Sequence, residues 1–153
     1  MREYPDRIHC FSRHTKISIE LPIRFEEESD DAESNTAVYV DSLDDTEKRA
    51  RVIARAIGLP SDAPGDAYRR VAAEAAHGLT VISSEDREID GFPAVRHVLR
   101  YDRDGVEFIR HESYAQAANL VFALIALAPA NRQDEYLTAF EHASETARFV
   151  LLP

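Results

Sequence analysis

The chain has 153 residues, of which 44% are apolar and 30% are charged, and such a composition is typical of one globular domain spanning residues 1–153. A formal net charge of −10 argues against nucleic acid or an anionic membrane as partner, because both require clustered lysine and arginine. Cys10 is the single cysteine, which excludes an internal disulfide and a cysteine-based zinc site. Charged residues interrupt the N-terminal segment, and the longest apolar run is too short for a bilayer. We therefore expect a cytoplasmic protein without membrane insertion.

The first quarter of the chain has the pattern of short β-strands. Ile8–Phe11 predicts one strand, and Lys16–Phe25 alternates in polarity as a second strand would. Pro22 cannot donate a ladder hydrogen bond, so the second strand either lies at an edge or ends there. Residues 26–35 are acidic and predict a polar loop, and Ala37–Val40 predicts a third strand. The apolar face of the second strand comprises Ile17, Ile19, Leu21, Ile23 and Phe25.

Residues 47–57 fit two different elements. Val52, Ile53, Ala56 and Ile57 would form one stripe of a helix. The same segment also alternates as a strand would, and that strand would close a hairpin with Ala37–Val40. We favour the strand, and the helix stays open as an alternative.

Two segments have the pattern of amphipathic helices. The first lies within residues 61–78, where an apolar stripe precedes Gly78, a residue suited to a left-handed helix stop. A strand should then start at Leu79–Ile82. The second helix follows Pro129, with Asn131 as its cap and Asp134 in its first turn. The predicted stripe of the first helix is Tyr68, Val71, Ala72, Ala75 and Ala76, and that of the second is Tyr136, Leu137, Phe140, Ala143 and Ala147.

A β-meander organises the chain between these helices. Its runs are Phe92–Tyr101, Val106–Tyr114 and Asn119–Leu127. Residues 102–105 between the first two suit a type I turn with Gly105 in the left-handed position. The third run is apolar on both faces, so it should lie centrally with cover on each side. The predicted fold class is α+β, a mostly antiparallel sheet flanked by helices in an α/β/α sandwich.

The order of these elements resembles the PsbP-like superfamily, which includes PsbP, a Ran-binding import factor, and the DcrB-type and LpqN-type proteins. The likeness covers most of the chain. The residues that carry it are Ile17–Pro22, Gly91–Ala94, Tyr101, Asp104-Gly105, Leu120–Leu127, Phe140 and Phe149.

The resemblance implies function only in outline, since members of this superfamily mostly bind other proteins and share no catalytic residues. It implies a non-catalytic protein-interaction module without a cofactor, such as a bacterial adaptor or chaperone for a secreted or membrane-associated protein. Because a sheet of this kind has edges to cover, a homodimer is also expected.

His97 and His111 carry the alternative function, a metal- or small-ligand-binding enzyme. The turn at 102–105 would bring the two histidines near each other across a hairpin, where opposed side chains lie about 5 Å apart. Glu112 points to the other face from His111, so the ligand set is incomplete. We favour the simpler interpretation, in which both are partly buried sheet residues that are hydrogen-bonded to their neighbours.

No other segment carries a catalytic or cofactor-binding motif. The serines lack a Gly-x-Ser-x-Gly context, and neither a dinucleotide fingerprint nor a Walker loop occurs. An acidic cluster could steer a basic partner, although a solvated loop gives the same pattern. It consists of Glu26, Glu27, Glu28, Asp30, Asp31 and Glu33.

Overall fold

The computed structural model describes residues 3–10, 15–31, 36–44, 46 and 48–151. Those residues form ten strands, two α-helices and one short 3-10 helix. The strands are β1 (Asp6–Cys10), β2 (Thr15–Glu20), β3 (Phe25–Asp31), β4 (Thr36–Asp41), β5 (Arg51–Gly58), β6 (Thr80–Ile89), β7 (Phe92–Arg103), β8 (Val106–Ala117), β9 (Leu120–Pro129) and β10 (Arg148–Leu151). The helices are α1 (Ala67–Ala75), the 3-10 helix (Ala130–Arg132) and α2 (Gln133–Thr146).

The strands make two antiparallel sheets. The larger has seven strands in the order β3-β4-β5-β9-β8-β7-β6, and the smaller has the order β1-β2-β10. Successive side chains along a strand point to opposite faces of the sheet, and two directly paired residues on neighbouring strands point to the same face. The register of the strands therefore assigns each side chain to a face of the larger sheet. The predicted α+β class with a mostly antiparallel sheet is confirmed.

The two faces of the seven-stranded sheet have different cover. On the α2 face, α2 and the small sheet bury the main core, in which Phe122 stacks on Phe149 at 4.2 Å between ring centroids. On the α1 face, α1 buries Tyr68 and Ala72 against Val95, Tyr114 and Ala123. Since α1 has only nine residues, it covers part of this face.

The meander and its central strand are confirmed. β7, β8 and β9 follow one another, and β9 lies fourth of the seven strands, with residues buried on both faces. Residues 51–58 form a strand paired with β4, so the strand alternative for 47–57 is correct from Arg51 onward. Gly78 follows α1 with a φ of 81°, as the predicted left-handed stop requires.

The turn after β7 differs from the predicted type I turn. Asp104 and Gly105 both have positive φ, 53° and 80°, and the paired residues Arg103 and Val106 flank them. Two left-handed central residues are the conformation of a type I′ turn, whose twist matches the strands on either side. Asp90 and Gly91 repeat this geometry between β6 and β7, with φ of 53° and 81°.

Strand β2 ends at Glu20, before Pro22, which is one of the two outcomes predicted for that proline. Residues 16–25 therefore do not form one strand, and Ile23 is 59% exposed. The loop predicted for residues 26–35 was wrong, because residues 26–31 belong to edge strand β3, whose Glu26, Glu27 and Glu28 are exposed. Phe11 and Glu33 lie outside the described residues.

The C-terminal helix also begins differently from its prediction. Asn131 belongs to the 3-10 helix, and α2 starts at Gln133 without a side-chain cap. Asp134 does lie in its first turn, but Leu137 is exposed and Ala139 is buried in its place. A further strand, β10, follows the helix and pairs with β2. In the described part of the chain, no helix is both long and apolar enough to cross a membrane.

Candidate binding surface

His97 and His111 lie on opposite faces of the large sheet. His97 pairs with Glu112, and His111 pairs with Val98, so their side chains point away from each other. The metal pair expected across this hairpin is therefore not formed. Within the described ranges, no group of three histidine, cysteine, aspartate or glutamate residues could hold a metal ion.

His111 joins the sheet to α2 through hydrogen bonds. Arg96 Nη2 lies 3.3 Å from its Nδ1, and Gln133 Oε1 lies 2.8 Å from its Nε2. A guanidinium can only donate, so Nδ1 accepts and Nε2 donates to the Gln133 oxygen, which is the bonding of a neutral ring. Burial lowers the pKa of His111 below its ordinary value of 6.5, and the charge of Arg96 adds to this effect. His111 thus acts as a structural link.

Beyond α1, the α1 face carries an apolar cluster that is built from its own side chains. Phe108, Ile125 and Leu127 are buried there, and Ile53, Tyr101 and Val106 pack around them. These latter three are only half-buried, because β5 and the β7–β8 hairpin extend past the helix. This partly exposed apolar patch is the candidate for docking another protein.

Arginines flank this patch on β5. Along the strand, Arg51, Ile53 and Arg55 alternate with buried residues, so all three present their side chains to the α1 face. Arg51 is half-buried and Arg55 is exposed. Ile53 therefore lies between two cations in a protein whose net charge is −10.

A buried carboxylate lies beside the patch on β8. The side chain of Glu112 is fully buried and ion-paired with Arg110, and the Tyr114 hydroxyl donates a hydrogen bond to its Oε1 at 2.7 Å. Burial raises the pKa of Tyr114 strongly, and the negative charge of Glu112 raises it further. His97 lies opposite Glu112, and its buried Nδ1 has no hydrogen-bond partner among the described residues. At this end of the patch, the buried residues under the apolar side chains are therefore polar.

Aromatic side chains close the other end of the patch. The rings of Tyr101 and Phe108 stack at 5.5 Å, and the Arg110 guanidinium lies 5.8 Å from the centroid of Tyr101. Burial raises the pKa of Tyr101, while the charges of Arg110, Arg103 and Arg51 act in the opposite direction. A surface of arginine, tyrosine and isoleucine has the composition of protein-binding hot spots.

The second polar cluster lies on the α2 face, where hydrogen bonds connect the N-terminus of α2 to Asp41 at the end of β4. Arg24 Nε donates to Asp41 Oδ1 at 2.9 Å, and the Tyr136 hydroxyl donates to Oδ2 of the same carboxylate. Arg132 Nη2 donates to that hydroxyl at 2.9 Å. The guanidiniums of Arg24 and Arg132 lie 5.4 and 5.2 Å, respectively, from the centroid of the Tyr136 ring. Glu135 accepts from both arginines.

The electrostatics of this cluster follow from burial and pairing. Burial alone would raise the pKa of Asp41, but hydrogen bonds from Arg24 and Tyr136 outweigh it, and the pKa lies below 3.8. Hydrogen bonds from Thr46 hold the pKa of Asp44 at about 2. The adjoining cleft, about 800 Å³, is lined by residues 43–48, 105–107 and 129–132 where described. Since the charged groups beside it already pair with one another, we assign this cluster to stability.

The sequence analysis does not single out Arg51 and Arg55 as candidate binding residues. Arg51 and Arg55 were recognised only as positions in an ambiguous segment, and an Arg-x-Ile-x-Arg pattern on one strand face was the available signal. Nothing local indicated Asp41, because its partners Arg24 and Tyr136 lie 17 and 95 residues away.

The comparisons with known proteins reveal the fold. No protein-family profile matches the chain, and no curated protein sequence matches it. LpqN of Mycobacterium tuberculosis, described as involved in cell envelope biogenesis, is similar with a TM-score of 0.76 and 13% identity over 97% of this chain and 92% of LpqN. PA94 of Pseudomonas aeruginosa, described as a putative regulator of unknown function, has a TM-score of 0.62 and 16% identity over 97% of this chain and 96% of PA94. PsbP of the cyanobacterium Synechocystis has a TM-score of 0.59 and 14% identity over 86% of this chain and 85% of PsbP. At these identities the likeness shows the fold, and the fold is PsbP-like.

Proposed function

We propose that this chain is a non-catalytic protein-interaction module, in the role of a bacterial cytoplasmic adaptor or chaperone for a secreted or membrane-associated protein. The observation that carries the proposal is the apolar patch around Ile53 and Tyr101, which extends past the short helix α1. The similar structures from bacteria add support, since LpqN is described by a role in cell envelope biogenesis.

The mechanism is burial of an apolar segment of the partner on the α1 face. Ile53, Tyr101 and Val106 would lose their remaining exposed area, and each Å² of apolar surface removed from water contributes about 25 cal/mol. The platform beneath is rigid, because β9 is hydrogen-bonded on both sides and buried on both faces. A preformed surface loses little conformational entropy on binding, which favours affinity.

A direct test uses a neutral amphipathic peptide of 14 residues with a leucine stripe and glutamine elsewhere. Fluorescence anisotropy should detect binding to the wild type and at least a tenfold weaker affinity for Ile53→Asp. The matched control is Ile23→Asp, since Ile23 is an exposed isoleucine outside the patch, and its affinity should equal that of the wild type. Equal affinities of all three proteins, or no binding to any, would refute the proposal.

Self-association through β6 is a second part of the proposal. The two edges of the large sheet differ: β3 carries Glu26, Glu27 and Glu28, whereas β6 is exposed from Thr80 to Glu88 and uncharged as far as Ser84. Like charges would oppose pairing of two β3 edges, so a second copy would add to the first half of β6. Native mass spectrometry should show a dimer that the double variant Val81→Lys, Ile82→Lys loses, and a wild-type monomer at micromolar concentration would exclude it.

A further inference from the structure

We propose that the segment recognised by the α1 face is an amphipathic helix whose apolar stripe is flanked on both sides by acidic residues. This inference rests on the proposed function and specifies its partner. It follows from the order of side chains across the face, where arginines lie on either side of an apolar track.

The apolar track crosses the strands of the large sheet. The register aligns Val38 on β4, Ile53 on β5 and Ile125 on β9 in one row, which continues to Glu112 on β8. Val38 and Ile53 are half-buried, and Ile125 is buried between neighbours. The apolar part of this row lies on three strands, so two strand spacings of about 4.8 Å give a track of about 10 Å, which is the length of roughly six helical residues.

The flanking rows supply the positive charge. One adjacent row contains Arg51, Leu127 and Arg110, and the other contains Arg55, Ala123 and Tyr114. Arg51 and Arg55 are four residues apart on one strand, so their Cα atoms are separated by about 13 Å. A helix of about 10 Å diameter fits between them and presents the two borders of its apolar stripe to the two arginines.

The arginines beside Ile53 on β5 favour an acidic partner. The charged residues of this face on β5, β8 and β9 are Arg51, Arg55 and Arg110 together with Glu112. On edge strand β3, exposed Glu26 lies in the row of Arg51, two strands away, so the acidic borders of the docking segment would meet their partners at β5. Glu112 is buried and already paired with Arg110, whereas Arg51 and Arg55 have no ion-pair partner in the described part of the chain. A carboxylate on the docking segment would form a charge-assisted hydrogen bond with either arginine, and a basic segment would meet like charge.

Two peptides of equal apolar content test this inference. Both are 14-residue helices with the same leucine stripe, one bordered by glutamate and the other by lysine, measured by fluorescence anisotropy at low salt. The net charge of −10 favours the lysine peptide at long range, so the expected tenfold or greater preference of the wild type for the glutamate peptide would identify local recognition. The double variant Arg51→Glu, Arg55→Glu should reverse that preference.

The control is a double variant with the same change of net charge at two arginines outside β5. Arg70 and Arg148 are both exposed and lie outside β5, so the double variant Arg70→Glu, Arg148→Glu should keep the preference for the glutamate peptide. Circular dichroism of all variants verifies that each is folded. A variant at Arg51 and Arg55 that unfolds is replaced by Arg51→Gln, Arg55→Gln, for which the preference should disappear without reversing.

The outcomes separate this inference from the proposed function. If both peptides bind the wild type equally and Ile53→Asp abolishes both, the acidic partner is refuted and the proposed interaction module stands. If neither these peptides nor the neutral one binds, both proposals fail. If phosphatidylglycerol vesicles bind in an Arg51- and Arg55-dependent manner and no peptide does, the face recognises an anionic lipid surface and the helix is refuted.

Discussion

The two faces of the seven-stranded sheet use polar residues in opposite ways. On the α2 face, Arg24, Asp41 and Tyr136 bond to one another, and the carboxylate of Asp41 accepts from two side chains. On the α1 face, Arg51 and Arg55 have no ion-pair partner in the described ranges, and Ile53 between them is only half-buried. Since Arg110, Glu112 and Tyr114 of the α1 face also bond to one another, the two faces differ in the arginines of β5 and not in every polar group.

The difference in cover explains this contrast. The α2 face is enclosed by α2 and the small sheet, so a polar group there must find its partner inside the protein. The α1 face has one short helix, and arginines at the edge of its cover keep their charged ends in water while their stems pack on apolar neighbours. Stability therefore depends chiefly on the α2 face.

The largest expected effect comes from Phe122 on the α2 face. It is 1% exposed and stacks on Phe149, so Phe122→Ala should leave a cavity and lower the free energy of unfolding by about 3–5 kcal/mol. Ile53→Ala on the α1 face should lower it by only about 1 kcal/mol, because that side chain is half-buried. Urea denaturation measures both losses. Equal losses in the free energy of unfolding would contradict the conclusion that stability depends chiefly on the α2 face.

Asp41 should give the next largest effect and a pH dependence. Asp41→Asn weakens the bonds to Arg24 and Tyr136, for which we expect a loss of about 2–3 kcal/mol at pH 7. The folded pKa lies below 3.8, so the stabilisation is present above that pH and is lost as the pH falls through the folded pKa. Thermal unfolding from pH 6 to pH 2 should therefore show a smaller fall in stability for the variant, and parallel curves would rule out this role.

Tyr114 tests the polar pair beneath the α1 face. Tyr114→Phe removes the hydrogen bond to buried Glu112 and should lower the free energy of unfolding by about 1–3 kcal/mol. The double variant Tyr114→Phe, Glu112→Gln should recover part of that loss, since it removes the buried charge as well. A double variant whose loss equals the sum of the losses of the two single variants would show that this pair does not act as a unit.

Elements with a strong local pattern could be predicted from the sequence, and contacts between distant elements could not. The continuous apolar run of β9 indicated a central strand, and the stripe from Tyr68 to Ala75 indicated α1. The histidine pair failed because a type I′ turn at Asp104-Gly105 fixes the register, and one residue of register decides the face of every side chain.

The same limit applies to the binding surface. Arg51 and Arg55 become flanks of an apolar track only when β9 pairs with β5, and that pairing joins residues more than sixty positions apart. The sequence contained the alternating pattern, but the row formed by Val38, Ile53 and Ile125 depends on the strand order. Strand order is set by packing of the whole sheet, which no local pattern specifies.

His111 provides the smallest expected effect and the finest test of the completed α2 face. Its neutral ring accepts from Arg96 and donates to Gln133, so His111→Gln should cost about 0.5–1.5 kcal/mol at pH 8. Burial lowers its pKa below 6.5, so stability is fully present above pH 6.5 and declines as the pH falls toward the folded pKa, because the unfolded state takes up the proton first. The variant should therefore lose less stability than the wild type between pH 8 and pH 5, as measured by urea denaturation. His77, exposed after α1, gives the matched control, and His77→Gln should change the free energy of unfolding at pH 8 by less than about 0.5 kcal/mol. If His111→Gln keeps the wild-type slope, the pKa of this ring is the same in the folded and unfolded states, and the α2 face is not completed in the way its hydrogen bonds indicate.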